Sequence, residues 1–313
     1  MENESKLPIL TRVAWMHYIQ QMTHEDIARQ LNMSRPTVTR MLIKARELGI
    51  VQIEVKGAYR SCIEVGEALR KKARIGDVIV VPSGRNNEES RDGVARAAAE
   101  YLSEKLMPND VLGLSWGKTL DNIAGYLKQI KNSRITTVQL MGGINTSGSI
   151  NPQHILTSIT KRIDAVGYTN PVPAVVDNKD IKKAIMQDKS VQEIFEKAKA
   201  VTVALLGIGD MGDTSSLKQI GAISEADFLA LKDAGAVGDV LAWFFKKTGE
   251  KVDAAFNERV MSVDESIVKK VPLKIGVTSG DYKCDAVIGA LNGGWIDTLI
   301  IDESLAEKVN QNL

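Results

Sequence analysis

The sequence predicts an α/β protein in which an N-terminal helix-turn-helix domain, winged-helix-like, precedes a larger domain built on a mostly parallel sheet. Residues 23–46 carry two helix start signals separated by a sharp turn. From Asp77 onward, apolar runs rich in β-branched residues alternate with helical stretches, as in parallel α/β sheets. A short stretch containing Gly57 separates the two patterns. The predicted domains are therefore residues 1–56 and 57–313.

Residues 7–21 form the first predicted helix. It is amphipathic, and its apolar residues are expected to pack against the following two helices. These residues are Ile9, Val13, Trp15, Met16 and Ile19.

The next two helices are predicted from their caps. Thr23 stands three residues before Asp26, an arrangement typical of an N-cap with an acidic partner. Asn32 tolerates the left-handed conformation that a sharp turn needs. Ser34 is a second N-cap, and Pro36 is acceptable in a first helical turn because its missing N–H would have no partner there. The pair predicts a helix-turn-helix whose shared core contains Ile27, Ala28 at the helix crossing, Leu31, Met33, Val38 and Met41.

The outward face of the second helix in this motif is basic. Residues 34–46 contain four basic residues and no acidic one, although the whole chain has 40 basic and 39 acidic residues. Arginine can bond guanine edges, threonine can meet a thymine methyl group, and a lysine one turn later suits a phosphate. This asymmetry favours DNA binding over a structural helical hairpin. The candidate contacts are Ser34, Arg35, Pro36, Thr37, Thr39, Arg40 and Lys44.

The motif is followed by Gly49, which is expected to end the helix, and by an alternating segment over Ile50–Val55. Alternation with period two predicts a short strand, which could form a wing. A charged helix over Ile63–Ala73 then opens the second domain.

Seven strands and two further helices are predicted in order along the second domain. The Asp77–Val81 run is uninterrupted, as in a strand covered on both faces. Further helices are predicted at 88–106 and 119–127, and further strands at 111–114, 136–141, 200–206, 240–244, 274–277 and 297–301.

Composition and charge limit the possible classes of function. The chain has 313 residues, 44% hydrophobic and 25% charged, as is ordinary for a globular protein of two domains. A net charge of +1 gives no global attraction to nucleic acid, so DNA binding must come from the local basic face. No apolar run approaches the ~20 residues that span a bilayer, and the N-terminus does not resemble a signal peptide. A cytoplasmic protein without a membrane partner is expected.

The cysteines and histidines do not predict a metal or redox site. Cys62 and Cys284 form no CxxC motif and are expected to be reduced thiols. His17, His24 and His154 lack ligand spacing and are interpreted as surface or satisfied polar residues. We expect no metal and no cofactor.

Glycine and polar residues follow several of the predicted strands. In parallel sheets, ligands bind outside the carboxyl ends of the strands. The turns in question are 115–120, 141–143, 207–213, 235–239 and 279–283. Backbone N–H groups around Lys118 and Thr119 suit a phosphate, Asp239 can accept hydrogen bonds from sugar hydroxyls, and Lys283 can pair with an anion. These turns predict a site for a small, polar, phosphorylated ligand.

The same residues resemble a known family. The N-terminal stretch MTHEDIARQLNMSRPTVTRMLIKARELGIVQIEV is similar to SorC-type sugar-responsive transcriptional regulators, and the resemblance runs nearly end to end. In the second domain it rests on LGLSWGKTL, QLMGG, LLGIGDMGD, GAVGDVLAWFF, GVTSGDYKCDAVIGALNGG and IDTLIIDESLA. The turn Thr278–Gly280 departs from the family pattern at Ser279, where a second glycine is common.

The resemblance implies a function and a set of site residues. It implies a sugar-phosphate-isomerase-like domain that senses an effector, a phosphorylated sugar or polyol, in a homo-oligomer, usually a tetramer, on operator DNA. By resemblance, Trp116, Gly117, Lys118 and Thr119 line the effector loop, Asp239 binds hydroxyls and Lys283 holds the phosphate. With the glycines of the other turns, the candidate effector-binding residues are Trp116, Gly117, Lys118, Thr119, Gly142, Gly143, Gly209, Asp239, Gly280 and Lys283.

An enzyme is the alternative reading. A sugar-phosphate isomerase or deaminase carrying a DNA-binding domain would need a base near neutral pH beside the sugar ring. Asp239 is a candidate, and His154 lies in the segment that follows Gly143. No catalytic pair is visible in the spacing, so we expect a sensor that performs no chemistry.

Overall fold

The computed structural model describes residues 7–53, 57, 59–130, 134–143, 151–213 and 215–313. The chain divides into two compact units, Met1–Ala58 and Tyr59–Leu313. Among the helices in these ranges, none is long and apolar enough to cross a membrane.

The first unit is a helix-turn-helix, as predicted. Its helices are α1 (Leu7–Tyr18), α2 (His24–Gln30) and α3 (Arg35–Glu47). The Thr23 hydroxyl accepts the Asp26 N–H at 3.2 Å, and the Ser34 hydroxyl accepts the Thr37 N–H at 3.3 Å, so both predicted caps are present. Asn32 has a φ of +50°, which confirms the left-handed turn between α2 and α3.

The core of this unit differs in part from the prediction. Ile27 and Val38 are fully buried and Ala28 is 5% exposed. Trp15 and Ile19, predicted to be buried, are 57% and 60% exposed. The buried stripe of α1 instead contains Leu10, Val13, Ala14 and Met16, at helical spacing, and Trp15 lies outside that stripe. Leu31, Met33 and Met41 are only partly buried at the rim of the core.

The predicted wing strand is absent over residues 50–53, and Glu54 and Val55 lie outside the described residues. Gly49 ends α3 with a φ of +71°. The N–H groups of Ile50 and Val51 then both donate to the Ala45 carbonyl, at 2.9 and 3.2 Å. Because these donors are bonded back to the end of α3, they are not free for a strand ladder.

The second unit contains, in its described part, a seven-stranded parallel sheet of order β1-β10-β9-β5-β2-β3-β4, which confirms the predicted parallel α/β architecture. The strands of this sheet are β1 (Asp77–Val81), β2 (Val111–Leu114), β3 (Thr136–Gln139), β4 (Val166–Tyr168), β5 (Val203–Gly207), β9 (Leu273–Thr278) and β10 (Thr298–Asp302). A small antiparallel sheet contains β6 (Gly209–Asp210), β7 (Gly238–Val240) and β8 (Trp243–Phe245).

Helices cover the parallel sheet and join its strands. They are α4 (Arg60–Ala73), α5 (Asn87–Lys105), α6 (Lys118–Tyr126), α7 (Pro152–Arg162), α8 (Lys179–Ile185), α9 (Lys189–Ala198), α10 (Ser216–Gln219), α11 (Glu225–Asp233), α12 (Glu265–Val268), α13 (Cys284–Asn292) and α14 (Glu303–Asn312). Short 3-10 turns lie at Ala255–Arg259 and Asp281–Lys283. Cys62 and Cys284 are free thiols.

One strand prediction is confirmed with a qualification and another is corrected by the structure. β1 is covered on both faces, by α4 against Val80 and by α5 against Val81, but it is only half-buried because it is an edge strand. The predicted strand 240–244 is instead the turn of the β7–β8 hairpin. Leu241 and Ala242 both have positive φ, +57° and +62°, as a two-residue hairpin turn requires. Neither leucine nor alanine is a usual residue of such a turn, so the turn could not be predicted from these residues.

The turn after β3 is built on a close approach of two backbones. The Gly142 N–H donates to the Met261 carbonyl at 2.8 Å, and the Gly143 N–H donates to the Val172 carbonyl at 2.7 Å. A Cβ on Gly142 would collide with the Pro173 carbonyl oxygen and lie 2.6 Å from that of Val172. Glycine is therefore required at residue 142 for packing.

Gly142→Ala should destabilise the second unit by about 1–3 kcal/mol, because backbone atoms rather than a movable side chain occupy the space that the new Cβ needs. Chemical denaturation, following the transition of the larger unit, measures the change. Gly125→Ala is the matched control. Gly125 lies in α6 with no atom within 4 Å of the added Cβ, so this change should be neutral or stabilising by up to about 1 kcal/mol. Equal stability of the two variants would contradict the packing role of Gly142.

Candidate functional site

A cavity of about 400 Å³ opens at the carboxyl ends of three adjacent strands, β2, β5 and β9. It is lined by Asn87, Arg91, Trp116, Gly117, Lys118, Thr119, Leu120, Gly207, Ile208, Gly209, Asp210, Ser215, Ser216, Leu217, Gln219, Asp239, Val277, Ser279, Tyr282 and Lys283. The volume and the mixture of charged and polar groups suit a small polar ligand.

One wall of the cavity is the start of α6. Gly117 precedes the helix with a φ of +136°, and no side chain caps it. In the described part of the chain, the N–H groups of Lys118, Thr119 and Leu120 have no acceptor. Uncapped N–H groups at a helix start favour a bound anion. Lys118 adds a cation, whose Nζ donates to Gln219 Oε1 at 3.0 Å.

A second wall carries two buried carboxylates from neighbouring strands. β6 and β7 pair antiparallel, with Gly209 opposite Asp239 and Asp210 opposite Gly238. Because Gly209 has no Cβ, the Asp239 carboxylate lies directly against its Cα. The Asp239 carboxylate accepts the Ala242 N–H at 3.0 Å, and that of Asp210 accepts the Gly212 N–H at 2.8 Å.

Burial controls the protonation of Asp239. Removal from water raises the pKa of the Asp239 carboxyl to about 7, and the nearby charge of Asp210 adds to the increase. The Ala242 N–H and the Lys283 ammonium oppose this increase in pKa. Asp239 therefore changes charge near neutral pH.

Lys283 lines the same cavity as these two carboxylates. It belongs to the 3-10 turn that precedes α13, and its Nζ donates to the Ile208 carbonyl at 3.0 Å. Burial lowers the pKa of Lys283, and the charges of Asp210 and Asp239 act in the opposite direction. The charges of the three side chains thus influence one another, with Asp210 and Asp239 buried and Lys283 half-buried.

Seven of the ten predicted effector residues line this cavity. They are Trp116, Gly117, Lys118, Thr119, Gly209, Asp239 and Lys283. Gly142 and Gly143 do not line it, because their turn is hydrogen-bonded to Val172 and Met261. Gly280 does not line it either. Its φ of +96° and its N–H, which donates to the Asp302 carboxylate at 2.8 Å, shape the turn before Lys283.

Several lining residues were not predicted from the sequence. Arg91 and Asn87 lie on α5, after the carboxyl end of β1, and a polar loop at that strand end is the signal that could have found them. Asp210 lies within the predicted ligand-binding turn 207–213, in which Gly209 is the one residue among the candidate effector-binding residues. Ser279, the departure from the family pattern, is 5% exposed and lines the cavity wall.

On the predicted nucleic-acid face of α3, some side chains have no carboxylate partner and others are bonded to neighbouring side chains. Within the described residues, Arg35 and Arg40 have no carboxylate partner, and both are exposed. Lys44 instead forms an ion pair with Glu47 at 3.2 Å, just beyond the stretch without acidic residues. The Thr39 hydroxyl contacts His24 Nδ1 at 3.0 Å.

The start of α3 is also partly engaged. The Ser34 and Thr37 hydroxyls lie 2.8 Å apart, and Pro36 is exposed beside them. Arg35 and Arg40 are therefore the side chains of this face that are most available to a partner.

The cavity offers no histidine for proton transfer among the residues described. His154 is exposed on α7, with Nε2 3.8 Å from Asp121 Oδ1, and it does not line the cavity. Asp239 and Asp210 are its only acidic side chains in the same set of residues.

Comparisons with known proteins agree with this architecture. A family model for a sugar-binding domain matches residues 58–310, and one for a Crp-like helix-turn-helix domain matches residues 11–71. The deoxyribonucleoside regulator of Bacillus subtilis (strain 168) is 30% identical over 313 residues, which cover 99% of this chain and 100% of that protein. The sorbitol operon regulator of Klebsiella pneumoniae is 28% identical over 315 residues, 98% of this chain and 99% of that one.

A solved structure extends the similarity to the fold of the whole chain. The crystal structure of the full-length sorbitol operon regulator SorC from Klebsiella pneumoniae matches with a TM-score of 0.77 and 26% identity, over 97% of this chain and 98% of that one. With the family match over more than half of its length, the chain belongs to the SorC family of sugar-binding transcriptional regulators.

Proposed function

We propose that the chain controls transcription of a carbohydrate-utilisation operon in response to a phosphorylated sugar or polyol that binds in the cavity. The observation that carries this is the presence, in one cavity, of uncapped N–H groups at the start of α6 and of two buried carboxylates. The first group suits an anion and the second suits hydroxyls. Relatives named as a deoxyribonucleoside regulator and as a sorbitol operon regulator support the ligand class.

Control requires that the effector bind DNA-competent and DNA-incompetent arrangements with different affinity. The DNA contacts assigned to α3 are Ser34, Pro36 and Thr37 at its start, and Arg35, Thr39, Arg40 and Lys44 along it. Arg35 and Arg40 provide base-reading contacts, and the others position the helix on the backbone.

The cavity binds its ligand without converting it. An isomerase or deaminase would use a base that can reach the carbon next to the sugar carbonyl. Asp239 is the available candidate, but its carboxylate is held by the Ala242 N–H and packed on Gly209. Relatives named as transcriptional regulators also support a sensor.

The functional unit is a symmetric oligomer, a tetramer by family resemblance. One recognition helix makes too few contacts for tight specific binding, and two-fold symmetric sites on DNA are read by paired helices. Light scattering measures the assembly, and a single-chain mass near 34.2 kDa at micromolar concentration would contradict it.

Binding of a phosphorylated sugar should raise the thermal stability of the second unit. A ligand at 100 times its Kd stabilises the folded state by about 2.7 kcal/mol when it binds that state alone. Ribose 5-phosphate, glucose 6-phosphate, fructose 6-phosphate and sorbitol 6-phosphate form the first panel, each beside its parent sugar or polyol. NMR of the same mixtures should show every compound unchanged. Formation of a product would show that the protein is an enzyme rather than a sensor. The absence of a thermal shift with every phosphorylated compound would argue against the proposed ligand class.

Arg40→Ala should weaken binding to operator DNA by about tenfold or more, because a bidentate arginine–base contact contributes about 1–3 kcal/mol. The DNA is a fragment that the wild-type protein selects from a random-sequence pool, and the measurement is a gel shift. Thermal stability should stay nearly unchanged, since Arg40 is exposed. Arg96→Ala, which removes an exposed arginine of the second unit, is the charge-matched control. An affinity equal to that of the control would remove Arg40 from the interface.

Effector affinity should rise with pH through about pH 7. With a pKa of about 7, Asp239 is about one-tenth ionised at pH 6 and about nine-tenths at pH 8. The ionised carboxylate is the better acceptor for sugar hydroxyls, so Kd should fall by up to about tenfold across that range. Calorimetry with the responding sugar phosphate measures it.

Asp239→Asn is the control for this pH dependence, because the variant keeps the titration of the phosphate group itself but loses that of the carboxyl. Its Kd should change less between pH 6 and pH 8. The same pH dependence in both proteins would mean that Asp239 is not the titrating group.

A further inference from the structure

His24 connects the two helices of the helix-turn-helix. It is the first residue of α2, and its Nδ1 lies 3.0 Å from the Thr39 hydroxyl on α3. That hydroxyl has a single hydrogen, which it donates to the Arg35 carbonyl at 3.2 Å. Because one hydrogen cannot serve both bonds, Nδ1 of His24 carries a hydrogen of its own and donates it to Thr39. Thr39 belongs to the face of α3 to which the DNA contacts are assigned.

The second ring nitrogen of His24 has no partner in the part of the chain that the structure describes. Nε2 makes no hydrogen bond or ion pair there, and it is not sealed from solvent. In a neutral imidazole, a hydrogen on Nδ1 leaves Nε2 as an acceptor alone. Phosphate oxygens are acceptors too, so the neutral ring cannot bond the DNA backbone. Nε2 becomes a donor only when the ring takes a second proton and a positive charge.

Helices α1 and α3 place other cationic or titratable groups near this ring. From α1, the ring of His17 stands edge-on to that of His24, with centroids 4.9 Å apart, and its Nδ1 donates to the Met22 carbonyl at 3.1 Å. Positive charge on both rings is unfavourable, so the pair takes up one proton before it takes two. From α3, the exposed Arg35 adds a positive charge one turn before Thr39.

The nearest negative charges belong to α2 itself. Glu25 and Asp26 follow His24 directly. Asp26 already accepts a hydrogen bond from the Thr23 hydroxyl at 2.7 Å and pairs with Arg29 at 3.6 Å. The start of a helix also disfavours an added positive charge. The charged imidazole therefore lacks a carboxylate partner among the described residues, and a DNA phosphate would stabilise it.

We propose that His24 is a further DNA contact, which donates from Nε2 to a backbone phosphate when the imidazole is protonated, while Nδ1–H holds Thr39. Binding then takes up a proton, so the affinity for operator DNA rises as the pH falls. A phosphate contact carries no sequence information, so His24 acts on affinity rather than on the choice of sequence. The inference rests on the DNA contacts proposed for α3 and extends them to α2.

The test measures DNA affinity against pH in the absence of effector. Fluorescence anisotropy with the fragment selected by the wild-type protein gives Kd at pH 6, 7 and 8 for wild type and His24→Asn. The asparagine amide can replace Nδ1 as the donor to Thr39, but it takes up no proton. The wild-type Kd at pH 6 should be about one-tenth of that at pH 8, since a charge-assisted hydrogen bond is gained. His24→Asn should lack this change and match the wild type at pH 8.

Salt provides a second readout that a purely structural role would not move. A charged group that contacts a phosphate releases a counterion from the DNA. At pH 6, the slope of log K against log salt concentration should therefore be shallower for His24→Asn than for wild type, by about 1 per half-site. At pH 8, where the wild-type imidazole is neutral, the two slopes should be equal.

His17→Gln and His154→Gln are the matched controls. The first removes the other ring of the pair, and the second removes an exposed histidine of the second unit. Both should keep the wild-type pH dependence. Titration elsewhere, including that of Asp239, is common to all the variants and cancels in the comparison. Thermal midpoints without DNA show whether each variant folds, and His24→Gln, which also takes up no proton, serves as the test if His24→Asn does not fold.

The outcomes separate this contact from the proposed function. Loss of the pH dependence and of the pH-dependent salt slope in His24→Asn, with both controls like the wild type, supports the contact. A wild-type Kd that is equal at pH 6 and pH 8, or a His24→Asn protein that keeps the full change, overturns it. So does a pH dependence that His17→Gln removes and His24→Asn keeps. In these cases weaker binding by Arg40→Ala leaves the proposed function intact. If the wild type selects no DNA, the contacts assigned to α3 fail, and His24 fails with them.

Discussion

The parallel register of β2, β5 and β9 is the constraint on which the cavity depends. Leu114 pairs with Leu205 and Gly207 with Val277, so the three strands end at nearly the same level. Parallel strands also require their connections to return by helices, which brings the start of α6 and the turn before α13 to that edge. Residues more than 160 positions apart in sequence, such as Lys118 and Lys283, therefore line one cavity.

The cavity at this edge of the sheet is lined by side chains of both charges. The small antiparallel sheet brings Asp210 and Asp239 together beside Lys283, where low polarity strengthens both attraction and repulsion. Arg91, Lys118 and the uncapped start of α6 add positive groups to the same cavity. The cavity therefore offers both cations and carboxylates to a polar ligand.

Sequence reasoning found the features that depend on local rules. The caps at Thr23 and Ser34 and the left-handed Asn32 follow from short-range chemistry, and the structure contains them. Apolar runs likewise predicted six of the seven parallel strands, because such runs require no tertiary information, whereas the three-residue β4 was not predicted. Seven of ten predicted ligand residues share one cavity for the same reason, since strand ends converge in any such sheet.

The misses have tertiary causes. The hairpin at Leu241 and Ala242 has no turn residue, and it depends on the Asp239 carboxylate accepting the Ala242 N–H. Gly142 looks like a ligand-binding glycine in sequence, but the backbone of residues 172–173 occupies its free side. Arg91 could not be predicted as a cavity residue, because the sequence of a helix does not show which of its arginines will lack an ion-pair partner. Trp15 is the opposite case. Its apolar side chain predicts a place in the core, but smaller side chains of the same helix already fill that core.

Glycines in and next to the cavity limit which substitutions its backbone tolerates. A side chain at Gly207 would meet the Trp116 carbonyl, one at Gly209 the Asp239 carboxylate, and one at Gly238 the Ala286 side chain and the Gly209 carbonyl. A side chain at any of these three positions would therefore require neighbouring atoms to move. Arg91, Gln219 and Tyr282 also line the cavity but are exposed or half-buried, so the shape of the cavity can change at these residues without the backbone collisions that constrain the glycines.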